Sequence, residues 1–248
     1  MSLHLIELPL SLSALNRWAG QRNIGHGLFD EGLVLHHLLG EAFGPAVLQP
    51  FRLLVAPRAR TGTLYAYSTA PAEELCATAA LSIGPSESEV VSLDALRSIE
   101  RPETAWQEGM RLGFDLKSRP AVRLASPLKG KDVQFPEGAE VDVFLAETLR
   151  NDHARQREDV YLDWLAARLA PVADLERDSS RLHQFRRVRS LRGGRRVEGP
   201  EAVIHGTLVV RDPPGFAQLV AHGVGRHRSY GYGMLLLRPP QRKGGLRA

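Results

Sequence analysis

His4 to Leu8 alternates apolar and polar side chains as a short strand does, and the elements after it come in a fixed order. Ser11 to Gly27 is polar and contains glycine, with room for a short helix or loop around Leu15 and Trp18. From Phe29 or Asp30 to Ala42, Leu33, Leu35, Leu38, Leu39, Ala42 and then Phe43 recur at helical spacing, and Gly44-Pro45 ends the run. Phe51 to Val55 and Thr63 to Ser68 predict two strands. Between them, Ala56 to Gly62 carries Pro57 and Gly62 and has the composition of a hairpin loop. Ala72 to Leu81 predicts a second helix and Arg111 to Lys117 a fourth strand. Ile83 to Glu108, with Pro85, Pro102 and scattered serines and acids, reads as an irregular connection.

The second half repeats the scheme without repeating the sequence. Ala121 to Ala125 and Asp132 to Phe135 are candidates for its first strand region, and Val141 to Leu149 is ambiguous between strand and helix. Glu158 to Leu169 is an amphipathic helix with Val160, Tyr161, Trp164, Leu165 and Leu169 on one side and Pro171 beyond its end. Phe185 to Leu191 and Arg195 to Val197 flank Gly193-Gly194, a hairpin signal. Ala202 to Val210 predicts a strand, Pro213 to Ala221 a helix with Pro214 in its first turn, and Met234 to Leu237 the last strand. Strand, helix, strand pair, helix, strand is the split βαβ order of the ferredoxin-like fold. The expectation is therefore an α+β chain of two tandem ferredoxin-like (RRM-like) domains with antiparallel sheets. Their boundaries are 1–118 and 119–240, followed by a basic tail at 241–248.

Length and composition agree with this. The 248 residues suit one large domain or two small ones. No apolar run approaches the roughly 20 residues of a membrane span. The N-terminus lacks a basic flank and a signal-peptide core, so a cytoplasmic protein with no membrane partner is expected. Cys76 is the single cysteine, which excludes an internal disulfide and a cysteine metal cluster. There is no P-loop, no HExxH, no acidic pattern for two metals and no nucleophile elbow. Neither a metal nor a cofactor is expected.

Charge is unevenly placed. Residues 1–118 hold 9 Lys/Arg against 13 Asp/Glu, and residues 119–248 hold 23 against 15. A basic second half points to a polyanionic partner. The density peaks between Arg181 and Val197, where Arg181, Arg186, Arg187, Arg189, Arg192, Arg195 and Arg196 occur with one histidine and no acid. An arginine-rich ribbon can lie along a nucleic-acid groove and contact phosphates. A solvated edge strand guarded by charge gives the same pattern.

Two further stretches carry candidate chemistry. Gly223, Gly225, Gly231 and Gly233 flank Arg226, His227, Arg228 and Tyr230. Glycines let the backbone approach a ligand, and arginines between them suit an anion; a tight turn before the last strand needs the same glycines. On the first long helix, His36 and His37 are neighbours about 100° apart, so one of the two can face a given cleft. Histidine can move a proton to or from a ribose 2′-OH or a leaving 5′-oxygen.

Gly223-Val-Gly-Arg-His-Arg-Ser-Tyr-Gly-Tyr-Gly-Met-Leu-Leu-Leu-Arg-Pro239 resembles the C-terminal glycine-rich signature of the CasE family, the CRISPR-repeat endoribonucleases of type I-E systems. Asp159-Val-Tyr-Leu-Asp-Trp-Leu165, Phe185-Arg-Arg-Val-Arg189 and Phe114-Asp-Leu-Lys-Ser-Arg-Pro120 match in order and spacing. The resemblance implies a metal-independent endoribonuclease that cuts CRISPR repeat RNA at the base of its hairpin. In such enzymes the 2′-OH attacks the adjacent phosphate and leaves a 2′,3′-cyclic phosphate. The product's 3′ hairpin stays bound, and the protein serves as a subunit of the surveillance complex (Cascade). It implies His36, with His37 beside it, as the catalytic position, and Arg186, Arg187, Arg189, Arg192, Arg195 and Arg196 as the ribbon in the RNA groove; Arg181 is a further RNA-binding candidate from the charge run. Leu33 stands where several members have a tyrosine, and Glu41 stands near a family lysine. His26, Arg228 and Tyr230 are the groups that can compensate. A weak or inactive RNA-hairpin-binding subunit is the alternative, and an assembly subunit with a merely basic face is a third reading.

Overall fold

The computed structural model describes residues 2–25, 29–130, 133–151, 155–192 and 194–240, and only the backbone of Arg192 and Arg195. His26, the Arg192 and Arg195 side chains and the tail 241–248 lie outside the described residues. The chain divides into two compact units. One comprises Met1–Ala105, Arg189–Val197 and Ala217–Met234; the other comprises Trp106–Val188, Glu198–Phe216 and Leu235–Ala248.

The first sheet is built from β1 (Leu3–Ser11), β2 (Phe51–Leu54), β3 (Thr61–Ser68) and β4 (Arg97–Arg101), in the order β2-β3-β1-β4 and antiparallel throughout. Helix α1 (Leu12–Gln21) follows β1, with Ser11 accepting the Ala14 N–H at its N-cap. Helix α2 (Glu31–Phe43) starts at Asp30, whose side chain accepts the Leu33 N–H, and stops at Gly44, where φ is 95°. Its buried face is Val34, Leu35, Leu38, Leu39, Ala42 and Phe43. Leu33, expected in that stripe, is half-buried, and Val34 takes the place. With α3 (Ala72–Ser82) and the single turn α4 (Pro85–Ser88), these helices close a core over Ile6, Leu8, Leu10 and Leu64 on one sheet face.

The second sheet has the order β10-β11-β5-β12, from β5 (Arg111–Ser118), β10 (Ala173–Arg192), β11 (Arg195–Val210) and β12 (Leu235–Arg238). Counted within each sheet, the order of the four strands is the same, so both are ferredoxin-like and antiparallel. Helices α6 (Arg157–Leu169) and α7 (Pro213–His222) are the two crossovers. Between β5 and α6 the chain adds the small pairs β6–β9 (Ala121–Arg123 with Glu140–Asp142) and β7–β8 (Leu128–Lys129 with Gln134–Phe135), then α5 (Val143–Arg150). These cover their own small core of Leu124, Leu128, Val141 and Ala146. Among the described residues no helix is long and apolar enough to cross a membrane.

Two strand assignments differ from expectation. Arg111–Ser118 is not the fourth strand of the first sheet. It is an inner strand of the second, with Asp115 opposite His205 on one side and Leu236 on the other. The fourth strand of the first sheet is Arg97–Arg101, inside the stretch read as irregular. Residues 121–125 accordingly belong to the small added layer.

Candidate active site

Asp30 does more than cap α2. One carboxylate oxygen accepts the Leu33 N–H at 3.2 Å, and the other accepts the backbone N–H of Leu191, in the hairpin tip, at 2.9 Å. That buried residue thus ties the start of α2 to the tip of the arginine hairpin. Two turns along, His36 is half-buried and His37 exposed, their rings edge-on with centroids 5.6 Å apart. Both line a cavity of about 210 Å³ whose other walls include Gly40, Glu41, Ala46 and Gln49. His36 is the one that also meets an aromatic ring, Tyr230, at 5.1 Å.

Tyr230 comes from the glycine-rich stretch after α7. Gly223, Gly225, Gly231 and Gly233 all have φ near 80°. Val224 N–H donates to the Gly233 carbonyl at 2.7 Å, and a Cβ on Gly233 would meet the Val224 carbonyl oxygen at 2.4 Å. The neck of this loop therefore requires glycine. Above it His227 sits in the left-handed region at φ 61°, which non-glycine residues seldom adopt, and Arg228–Tyr230 form one 3₁₀ turn. The turn is held by Tyr230 N–H to His227 O at 2.9 Å, Arg228 to the His222 carbonyl at 2.9 Å, and Ser229 to Gln49 at 3.2 Å. It rests on α2 so closely that a Cβ on Gly32 would lie 2.4 Å from the Tyr230 carbonyl oxygen.

Arg226 and Arg228 are exposed, and with His222, His227, Gln49 and Tyr230 they border a second cavity of about 620 Å³. Ala46 and Gln49 line both cavities. A histidine beside one opening and two guanidinium groups beside the next is an arrangement that can hold a phosphodiester and move a proton at it.

Arg181, Arg186, Arg187, Arg189 and Arg196 are all exposed. Arg186 bonds Glu201, whose carboxylate is also 3.4 Å from Lys117 and only 7% accessible, and Arg187 reaches Glu198 at 3.2 Å. The run that contains no acid is thus partly neutralised by glutamates on the returning strand. Beneath the hairpin's base, Arg157 is sandwiched between Phe144 and Phe185, 4.0 and 3.9 Å from the ring centroids, and bonds Asp142 and Tyr161.

Sequence reasoning did not find Gln49, Gly32, the Asp30 tie or a second histidine group. In that group His183 stacks on His205 at 4.2 Å, and His205 Nε2 lies 2.9 Å from Asp115. Burial pushes the His205 imidazole below its ordinary range, against the upward pull of Asp115. These residues come from distant strands, so no local window joins them.

The chain is similar in fold to Thermus thermophilus Cse3 bound to an RNA representing a pre-cleavage complex. The TM-score is 0.66 at 19% identity, covering 96% of this chain and 100% of that one. Cas6e from Escherichia coli K-12 gives 0.52 at 17% identity, covering 96% and 100%. A chain of a CRISPR RNA-guided surveillance complex, pre-nicking, gives 0.56 at 18% identity, covering 95% and 99%. No curated protein matches the sequence. The model of the family described as CRISPR associated protein matches residues 3–239, and the chain belongs to that family.

Proposed function

We propose that this chain is a CasE-type endoribonuclease that cleaves CRISPR repeat RNA at the base of its hairpin without a metal. It retains the 3′ hairpin of its product as a subunit of the type I-E surveillance complex in the cytoplasm. The observation that carries the reading is the seating of Tyr230 and the Arg226–Arg228 loop against the helix that bears His36. RNA-bound Cse3 and a surveillance-complex chain share the fold.

In this reading His36 is the proton-transfer group. The 2′-oxygen attacks the adjacent phosphorus, the P–O5′ bond breaks, and the products are a 2′,3′-cyclic phosphate and a 5′-hydroxyl. The 2′-OH loses one proton and the 5′-oxygen gains one. Arg226 and Arg228 offset the charge that builds on the phosphate oxygens. His37, exposed beside His36, and His227 line the approach to the phosphate. The glycines at 223, 225, 231 and 233 hold the loop open to RNA. Arg181, Arg189 and Arg196, with Arg192 and Arg195, contact the stem, and Arg186 and Arg187 share that work with their glutamates.

The test is cleavage of a repeat stem-loop in EDTA. The wild type yields a 2′,3′-cyclic phosphate, and neither His36→Ala protein nor RNA with a 2′-deoxy residue at the cut reacts. Stem-loop binding with no cleavage supports the inactive RNA-binding subunit instead. Absence of RNA binding supports an assembly role.

A further inference from the structure

Gly40 follows His36 by four residues, so the two lie on one face of α2. A glycine in a helix interior is unfavourable relative to alanine. Packing does not call for it here: a Cβ on Gly40 would meet nothing within 4 Å. Gly32, on the same helix, is fixed by the Tyr230 carbonyl, so the two glycines need different explanations. Gly40 faces the 210 Å³ cavity. That space takes one ring system and not a duplex. Its polar wall is Glu41, Gln49 and His37, and Glu41 is oriented by Arg22 at 3.0 Å.

We infer that this cavity is the subsite for one unstacked nucleobase flanking the scissile phosphate, and that Gly40 is bare so that the ring can lie flat against the helix. The inference rests on the proposed RNA cleavage at His36. In-line attack by a 2′-oxygen requires the reacting nucleotide to leave the helical stack, and splayed bases are recognised through ring faces and hydrogen-bonding edges. Glu41 accepts hydrogen bonds, and the Gln49 amide both donates and accepts. The subsite therefore takes a base that presents an amino group, and disfavours uracil.

The experiment compares wild type, His36→Ala, Gly40→Ala and Gly40→Leu on a repeat stem-loop RNA. The RNA is either intact or abasic at each nucleotide beside the cut. Gly40→Ala is expected to raise Tm by about 2–4 °C while lowering cleavage about tenfold. Gly40→Leu lowers it on the order of 100-fold. Each loss disappears on the RNA that is abasic at the base the cavity holds, because the variant then removes nothing. Wild-type rates for both variants, or equal losses on intact and abasic RNA, overturn the subsite. Cleavage that survives His36→Ala, or no cleavage by wild type, overturns the reaction instead. In that case the same intact-versus-abasic comparison, read as the Kd of 2′-deoxy RNA, decides the subsite.

Discussion

The imidazole of His36 lies against the phenol ring of Tyr230, centroids 5.1 Å apart and planes at 45°. One residue comes from the first long helix and the other from a loop about 190 residues later. Leu33, one turn before His36, cannot hydrogen-bond or stack, so the aromatic neighbour of this histidine is supplied through space. Aromatic pairs of this kind contribute about 0.5–1.5 kcal/mol beyond their buried area. Tyr230→Leu should therefore lower kcat up to about tenfold with little change in KM, and Tyr230→Phe should retain most of the rate. Single-turnover cleavage at saturating stem-loop RNA measures this. A Tyr230→Leu protein with unchanged kcat would show that the contact does not orient His36.

Gly32 carries the loop's weight on α2. Alanine in a helix is ordinarily better than glycine by up to about 1 kcal/mol. At this position the added Cβ would lie 2.4 Å from the Tyr230 carbonyl oxygen, so backbone must move. Overpacking of this sort costs about 1–3 kcal/mol. Gly32→Ala is expected to lower Tm by a few degrees and to lower cleavage with it, because Tyr230 shifts. A thermal scan of Gly32→Ala beside Gly40→Ala should show opposite signs. A rise in both would mean that the loop yields freely.

The helices and most strands were legible because a buried stripe or an alternating run writes its period into the chain. Partners across a sheet leave no such mark. Arg111–Ser118 has the alternation of a strand, with Phe114 and Leu116 fully buried, but nothing local says which sheet it enters. Arg97–Arg101 was missed because its one apolar side chain, Ile99, is half exposed; backbone bonds to β1 make it a strand. His36, His37 and the glycine-rich loop stood out by residue type and by resemblance. Gln49 did not, since its meaning lies in the two cavities it lines. The arginine run looked unneutralised because Glu198 and Glu201 fall just past its end and return to it across the hairpin.

That pairing changes which arginines test RNA binding. Removing Arg186 deprives the buried Glu201 carboxylate of one of its partners. Loss of one member of a buried charged group is destabilising. Arg186→Ala is expected to lower Tm as well as affinity, which confounds it. Arg181 and Arg196 are exposed. The Arg181→Ala/Arg196→Ala double variant should keep the wild-type Tm within about 2 °C, since exposed substitutions shift stability by about 0.5 kcal/mol or less. It should also flatten the plot of log Kobs against log salt by about 0.9 for each phosphate that the protein no longer neutralises. An unchanged slope would place these side chains away from the RNA.

Glu87 gives the fold an acid limit. Its carboxylate, 7% accessible, accepts from the Trp18 indole at 2.7 Å, Ser86 at 2.9 Å and the Gly84 N–H at 2.9 Å, and pairs with Arg22 at 2.6 Å. Burial pushes its pKa up, but the hydrogen bonds from Trp18, Ser86 and the backbone outweigh it and hold the carboxyl at about 2. The folded value lies below the unfolded one. The stabilisation is therefore complete above about pH 4.5 and is lost as pH falls toward 2, amounting to on the order of 2–3 kcal/mol. Urea unfolding from pH 7 to pH 2.5 should show this loss in the wild type. Glu87→Gln should be less stable at pH 7 by a similar amount, with the gap closing as the pH drops. Parallel acid limbs for the two proteins would mean that Glu87 is not the group that titrates.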